Sequence, residues 1–245
     1  METWHYPLLV VLGVVVGFLN VMAGGGSLLS MPALIFLGMD PALANGTNRI
    51  ALLVQNATAI TEFRRHGFAD FKLSLGLAAC TIPGAALGAY AAVRFDPLWF
   101  KRLLAGIMIA VLIDMMRPRS AVATGEGGTR PGLAHLAMVG VGFYGGFVQA
   151  GVGFILMPIL RGLLRLDLVR VNMHKVFVVG VYMIPSLAVF AWQGQVQWLA
   201  GAMLAVGTAL GAVLATRLQI ARGEKIVRAV FAVAVVAMAV KLVWN

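Results

Sequence analysis

Residues 7–37 read PLLVVLGVVVGFLNVMAGGGSLLSMPALIFL, an uncharged stretch with three consecutive glycines and a serine near its centre. As one straight helix, about 31 residues would span about 46 Å, too long for a bilayer core of roughly 30 Å. Glycine adopts backbone conformations that break a helix. The stretch therefore predicts a helix that enters the membrane, folds at AGGGS (23–27) and returns. Residues 133–164 repeat the pattern, with QAGVG at 149–153.

The match extends beyond the glycines. Met31-Pro32 and Met157-Pro158 are offset by 126 residues, and Gly25 and Gly151 share that offset, as do Arg49 and Lys175. Several unlike features at one offset indicate an internal repeat. Around the long stretches lie medium apolar segments at 42–62, 70–93 and 98–116, then at 172–191, 197–218 and 225–244. A polar linker, RPRSAVATGEGGTR, separates the two sets at 117–130.

Composition sets the solvent. Of 245 residues, 61% are apolar and 11% charged, whereas soluble domains carry roughly 25% charged residues. Mean hydropathy is +0.93. The surface itself must be apolar, so the bilayer is the solvent. The net charge of +10 would suggest nucleic acid in a soluble protein. Here the basic residues sit at the ends of apolar segments, where they orient a membrane protein and meet anionic headgroups. No nucleic-acid partner is expected. The N-terminus, METWHYPLLV, has no basic leader region and reads as part of the mature protein. The single cysteine, Cys80, lies in an apolar run and reads as helix packing.

Charge also orients the halves. After the first long stretch the link GMDP carries no base, while the next link carries Arg64, Arg65 and Lys72. In the second half the order swaps. Arg161, Arg165 and Arg170 follow the long stretch, and WQGQVQ has none. By the positive-inside rule, equivalent links face opposite sides, the signature of an inverted repeat. The predicted fold is all-α and integral to the membrane. It has two inverted repeats, each a glycine-broken re-entrant hairpin plus three transmembrane helices. Residues 1–116 form the first repeat, 117–130 a cytoplasmic linker and 131–245 the second, with both termini outside. Arg94, Lys101 and Arg102 fall on the outer side and run against the rule.

A broken helix in lipid leaves backbone groups unpaired, which is tolerated only in buried or water-lined places. Helix N-termini at such breaks favour anions. This makes Gly25, Gly26 and Ser27, with Gly151 and Gly153, candidate anion-binding positions; glycines used only for close helix packing are the competing reading. Arg49 lies about 10 Å into its segment, and a cation at that depth is a functional candidate. Arg49 and Lys175 would supply charge, or else snorkel to the interface. Asn45, Asn48 and Asn172 are neutral donors or helix caps. His174 relays a proton, binds the anion or is structural. Gln149, Asn20 and Gln55 line a cavity or glue helices. Asp114 and Arg117 read as a helix-end ion pair. No metalloprotease, P-loop or Cys/His metal pattern occurs, so neither enzyme activity nor a cofactor is expected.

The stretch GFLNVMAGGGSLLSMPALIFLGMDPALANGTNRIALL at 17–53 resembles the first-half motif of the sulfite exporter TauE/SafE family. YGGFVQAGVGFILMPILRGLLRLDLVRVNMHKVFVV at 144–179 is similar to its second-half motif, including Asn172 and Lys175. PGAALGA (83–89) and GTALGA (207–212) fit two later helices more weakly. The chain departs from the pattern where GVG replaces GGG. The resemblance implies a multi-pass protein of the bacterial inner membrane, carrying a duplicated half and moving sulfite, organosulfonates or related small anions.

The expectation is a secondary transporter working by alternating access, with an oxyanion held between the hairpins. A proton through His174 is the expected coupling ion, and a homodimer is one oligomeric form open to it. An anion channel and a non-transporting membrane scaffold are the competing readings.

Overall fold

The computed structural model describes residues 5–23, 25–68, 70–116 and 129–221. Nine helices occur among them. They are α1 (His5–Ala23), α2 (Ser27–Phe36), α3 (Pro41–Arg65), α4 (Phe71–Val93), α5 (Pro97–Met116), α6 (Pro131–Phe147), α7 (Val152–Leu164), α8 (Leu168–Trp192) and α9 (Trp198–Ala221). No strand occurs among the described residues. The all-α expectation holds for them. The linker residues 117–128, including Arg117 and Arg119, and the apolar segment 225–244 lie outside the described residues.

Each long stretch is interrupted where its glycines predict. The arms are unequal: 19 and 10 residues in the first half, 17 and 13 in the second. Three helices, α4, α5 and α8, start on short acidic caps. Asp70 Oδ1 accepts from the Leu73 N–H at 3.4 Å, Asp96 Oδ1 from Trp99 at 2.9 Å, and Asp167 Oδ1 from Val169 and Arg170 at 3.0 Å. Such caps satisfy N–H groups that have no intrahelical partner. Pro41, Pro97 and Pro131 each open a helix, where a missing N–H costs nothing.

Four helices, α1, α4, α8 and α9, contain stretches long and apolar enough to cross a bilayer, so this is a membrane protein. α3 is different. It buries Asn45, Thr47, Asn48, Arg49, Gln55, Asn56 and Glu62 among its neighbours. At its end Glu62 pairs with Arg217 of α9 at 2.7 Å. Cys80 sits half-buried on α4 against the apolar cluster around Leu77 and Ala78. Two of the cations that run against the charge rule rest on aromatic faces: Arg94 lies 3.5 Å from the Tyr90 ring centroid and Arg102 5.0 Å from that of Trp99.

The packing obeys an exchange. α1 lies along α9 and α6 along α4, the two most extensive interfaces; α3 packs on α9 as α8 packs on α4; and α3 meets α8 at the centre. Swapping α1 with α6, α2 with α7, α3 with α8 and α4 with α9 maps these pairs onto themselves. Glycine makes the two outer seams possible. Lipid removes any hydrophobic force between apolar helices, so association depends on close backbone approach. Gly13 and Gly17 of α1 face Gly207 and Gly211 of α9, and a methyl group on Gly17 would strike the Thr208 backbone. Gly142 and Gly146 of α6 face α4 near Gly84 and Gly88, where a methyl group on Gly142 would strike the Thr81 backbone.

Two glycines on one helix separate packing from propensity. Gly140 has open space where Gly142 meets backbone. Gly142→Ala is expected to destabilise the detergent-solubilised protein by about 1–3 kcal/mol through overpacking. Gly140→Ala should leave stability unchanged or raise it by up to about 1 kcal/mol, alanine being the better helix former. Thermal unfolding of the two variants checks the contrast.

Candidate functional site

The site begins with the two breaks. In the first, the Gly26 N–H donates to Asn20 Oδ1 at 3.1 Å, folding the end of α1 onto the start of α2. A methyl group on Gly26 would collide with the Val16 carbonyl and Asn20, so the turn needs glycine. In the second break Gly151 is left-handed at φ 72°. Gln149 is also left-handed, at φ 65°, a conformation uncommon outside glycine. It is held there by backbone bonds, from its own N–H to the Tyr144 carbonyl at 3.1 Å and from Val152 N–H to its carbonyl at 3.2 Å. The Tyr144 hydroxyl donates to the Ala150 carbonyl. Non-glycine residues held in sparse regions cluster at functional sites.

The breaks meet. The Gly151 N–H donates to Ser27 Oγ at 3.3 Å, so the α2 and α7 N-termini lie side by side. Between them sits a small polar cavity lined by Asn20, Ser27, Asn56, Gln149, Gly153 and Lys175, with an apolar wall that includes Val176 and Val179. Its space, about 10 Å³, accommodates one water-sized sphere. Gln149 is buried, with both side-chain amide atoms unpartnered among the described residues.

The cations bind carbonyls from the opposite half. Arg49, 0% exposed, donates to the Gly145 carbonyl at 3.3 Å, to the Gly146 carbonyl and to Asn45 Oδ1 at 3.1 Å. Asn45 Nδ2 donates to the Phe147 carbonyl at 2.8 Å. The guanidinium also lies 4.6 Å from the Phe190 ring centroid. Lys175, 3% exposed, donates to the Asn20 and Val21 carbonyls at 3.2 and 3.1 Å. These carbonyls end α6 and α1, where intrahelical partners run out. Both cations thus sit at helix carboxyl ends, where positive charge is favoured. Lys175 also borders the cavity; Arg49 is not among its lining residues.

Ser27, Gln149, Gly153 and Lys175 come together at the cavity, with Gly26 and Gly151 as the caps beside it and Gly25 buried in the first break. Arg49 and Asn45 form a separate clasp on α6. Asn48 and Asn172 are buried, their amides unpartnered among the described residues. His174 faces α4, with Nδ1 2.8 Å from Ser74 Oγ. Sequence reasoning missed Asn56 as a lining residue. Asn45, Arg49, Leu52 and Asn56 follow i, i+4, i+7 and i+11, one stripe of α3, and that stripe was the available signal.

The family model for sulfite exporter TauE/SafE matches residues 9–242. The chain belongs to the TauE/SafE family. Several curated relatives match over most of its length. "Probable membrane transporter protein ORF9" of Sinorhizobium sp is 27% identical over 230 residues, 93% of this chain and 88% of the relative. A "Probable membrane transporter protein" of Haemophilus influenzae is 27% identical over 97% of this chain and 94% of its own length. "Probable membrane transporter protein YfcA" of Escherichia coli K12 is 28% identical over 94% and 86%. The relatives are named as transporters, not enzymes. No solved structure matches the chain.

The two clasps should differ in stability. Arg49→Met leaves the Gly145 and Gly146 carbonyls buried without their donor, and is expected to cost at least about 2 kcal/mol. Lys175→Met should cost less, because its carbonyls lie beside a cavity that a water can enter. Thermal unfolding of both variants in one detergent should rank Arg49→Met as the less stable; the reverse order would place the main anchor on α1.

Proposed function

We propose that this protein is a secondary transporter that carries a small sulfur oxyanion, sulfite or an organosulfonate, across the bacterial inner membrane by alternating access. The observation that supports it most is the meeting of two helix N-termini, through Ser27 and Gly151, at a buried cavity bordered by a lysine. Convergent N–H groups and a helix N-terminal dipole suit an oxyanion with several acceptor oxygens. The sulfur chemistry of the substrate rests on the family.

In this reading the two repeats are inverted and each break is the tip of a re-entrant hairpin. The linker 117–130 lies in the cytoplasm and both termini lie outside. Gly25, Ser27 and Gly153 offer backbone and hydroxyl donors, with Gln149 as an amide donor and Lys175 as the charge; the Gly26 and Gly151 N–H groups join them once the anion displaces Asn20 and Ser27 from them. Arg49 and Asn45 hold the α6 end behind them. Asn48 and Asn172 supply further amides once the halves move. A space for one water cannot hold a sulfonate, so the described conformation is closed around the site. Admission of the anion requires α1 and α2 to shift against α6 and α7, which is the step that alternating access needs.

Uptake into proteoliposomes of sulfite, sulfate, thiosulfate, sulfoacetate and lactate tests the proposal. Saturable uptake of a sulfur oxyanion is expected, and Ser27→Ala or Lys175→Met should lower it by at least about tenfold, equivalent to roughly 1.4 kcal/mol of anion stabilisation. Uptake of none of the five, or a leak indifferent to the anion and to both substitutions, would remove the transporter reading.

A further inference from the structure

The α4–α8 seam holds a buried imidazole that the anion cavity does not use. His174 is 0% exposed, and its Nδ1 lies 2.8 Å from Ser74 Oγ. The Ser74 hydroxyl has a single proton, donated to the Asp70 carbonyl at 3.0 Å, the backbone bond that serine makes one turn back. With the proton so placed the oxygen accepts, which corresponds to the tautomer with the ring proton on His174 Nδ1. Nε2 is left as a bare lone pair, buried and without a partner among the described residues.

The charges that act on the ring are few. α4 brings Asp70, and α8 itself brings Arg170 and its cap Asp167. α4 also carries Lys72, and α8 carries Lys175, bound to the α1 carbonyls. Of the other helices packed against α8, α3 carries Arg49, engaged by the α6 carbonyls, Glu62, paired with Arg217 and Arg65, and Arg64. α6 carries His135, bonded to the Pro131 carbonyl. α7 carries Arg161 and α1 carries His5. A bare imidazole nitrogen in an apolar seam is costly when nothing occupies it.

The repeat supplies an internal comparison. At the offset of 126 residues, His174 corresponds to Asn48 (174 − 48 = 126), and the α3–α9 seam corresponds to α4–α8. One half thus holds a titratable group where the other holds an amide that cannot titrate. We propose that His174 Nε2 is the proton-binding site that couples anion movement to a proton. It takes one proton from water on one side of the membrane and returns it to water on the other. The inference rests on the transporter reading above.

The experiment compares wild type, His174→Asn and His174→Gln in proteoliposomes under an imposed pH gradient. Labelled sulfoacetate, thiosulfate and sulfite are the probes. With one proton per anion, the wild-type accumulation ratio should shift about tenfold per pH unit. His174→Asn keeps an amide nitrogen near Nδ1 to donate to Ser74, and His174→Gln places one nearer Nε2. Both should still equilibrate the anion, with a ratio indifferent to the gradient. A variant that follows the gradient as wild type does would overturn the assignment. A wild type that equilibrates anions without responding to the gradient would overturn it too, leaving the transporter reading intact. Failure of the wild type to move any of the three would overturn both. Should neither variant fold, the imidazole ¹⁵N spectrum of a protein with His5, His66 and His135 replaced by Asn, in which His174 is the sole imidazole, decides: a neutral Nδ1–H ring is expected, and a neutral Nε2–H ring would overturn the inference.

Discussion

The carboxyl end of a helix exposes carbonyls that have no intrahelical partner, and burying them unpaired is costly. This fold has two such buried ends, and each meets a cation from the opposite half. Arg49 of α3 reaches the last carbonyls of α6, and Lys175 of α8 reaches those of α1. The first arm of each break is therefore held by the helix that follows the other break. The halves cannot separate without leaving buried carbonyls and buried charges unpaired, which is expensive in a low-dielectric interior. The clasp also fixes where the breaks lie, and so brings the α2 and α7 N-termini together across Ser27 and Gly151.

Close helix contact frames that centre. The seams α1–α9 and α4–α6 pass glycine against backbone over two turns each, leaving α3 and α8 in the middle with their polar stripes inward. Arg49 and Lys175 share an offset in sequence but differ in surroundings. Arg49 is enclosed by Phe190, Met183 and the α6 carbonyls, whereas Lys175 borders a polar cavity. One cation is a structural anchor with little freedom. The other has open space beside it. Positions matched by the 126-residue offset thus have unlike surroundings, as Asn48 and His174 do again.

Much of this was legible in the residues. The breaks follow from runs too long for the bilayer with glycines inside them, and α2 and α7 start at Ser27 and Val152, at or beside those glycines. The depth of Arg49 marked it as unusual. Its partners were not legible, because a backbone carbonyl on another helix leaves no trace in sequence. Both cations bind carbonyls at helix carboxyl ends, and Lys175 alone of the two also borders the cavity at the α2 and α7 N-termini. Asn56 was overlooked because one asparagine in an apolar run has no meaning until the inward face of α3 is known. The glycine pairs at 13 and 17, 84 and 88, 142 and 146, and 207 and 211 were visible, but nothing in their spacing says which pair meets which. Periodicity, the usual guide, is silent where every helix face is apolar.

The central claim is that two breaks from two halves build one anion site. Selenite, the selenium analogue of sulfite, tests it directly through anomalous scattering from crystals grown with the ion. The account predicts a selenium peak between the α2 and α7 N-termini, within hydrogen-bonding reach of Ser27 Oγ and Lys175 Nζ. Selenium found only at the surface bases Arg130 and Arg170, or nowhere, would contradict it.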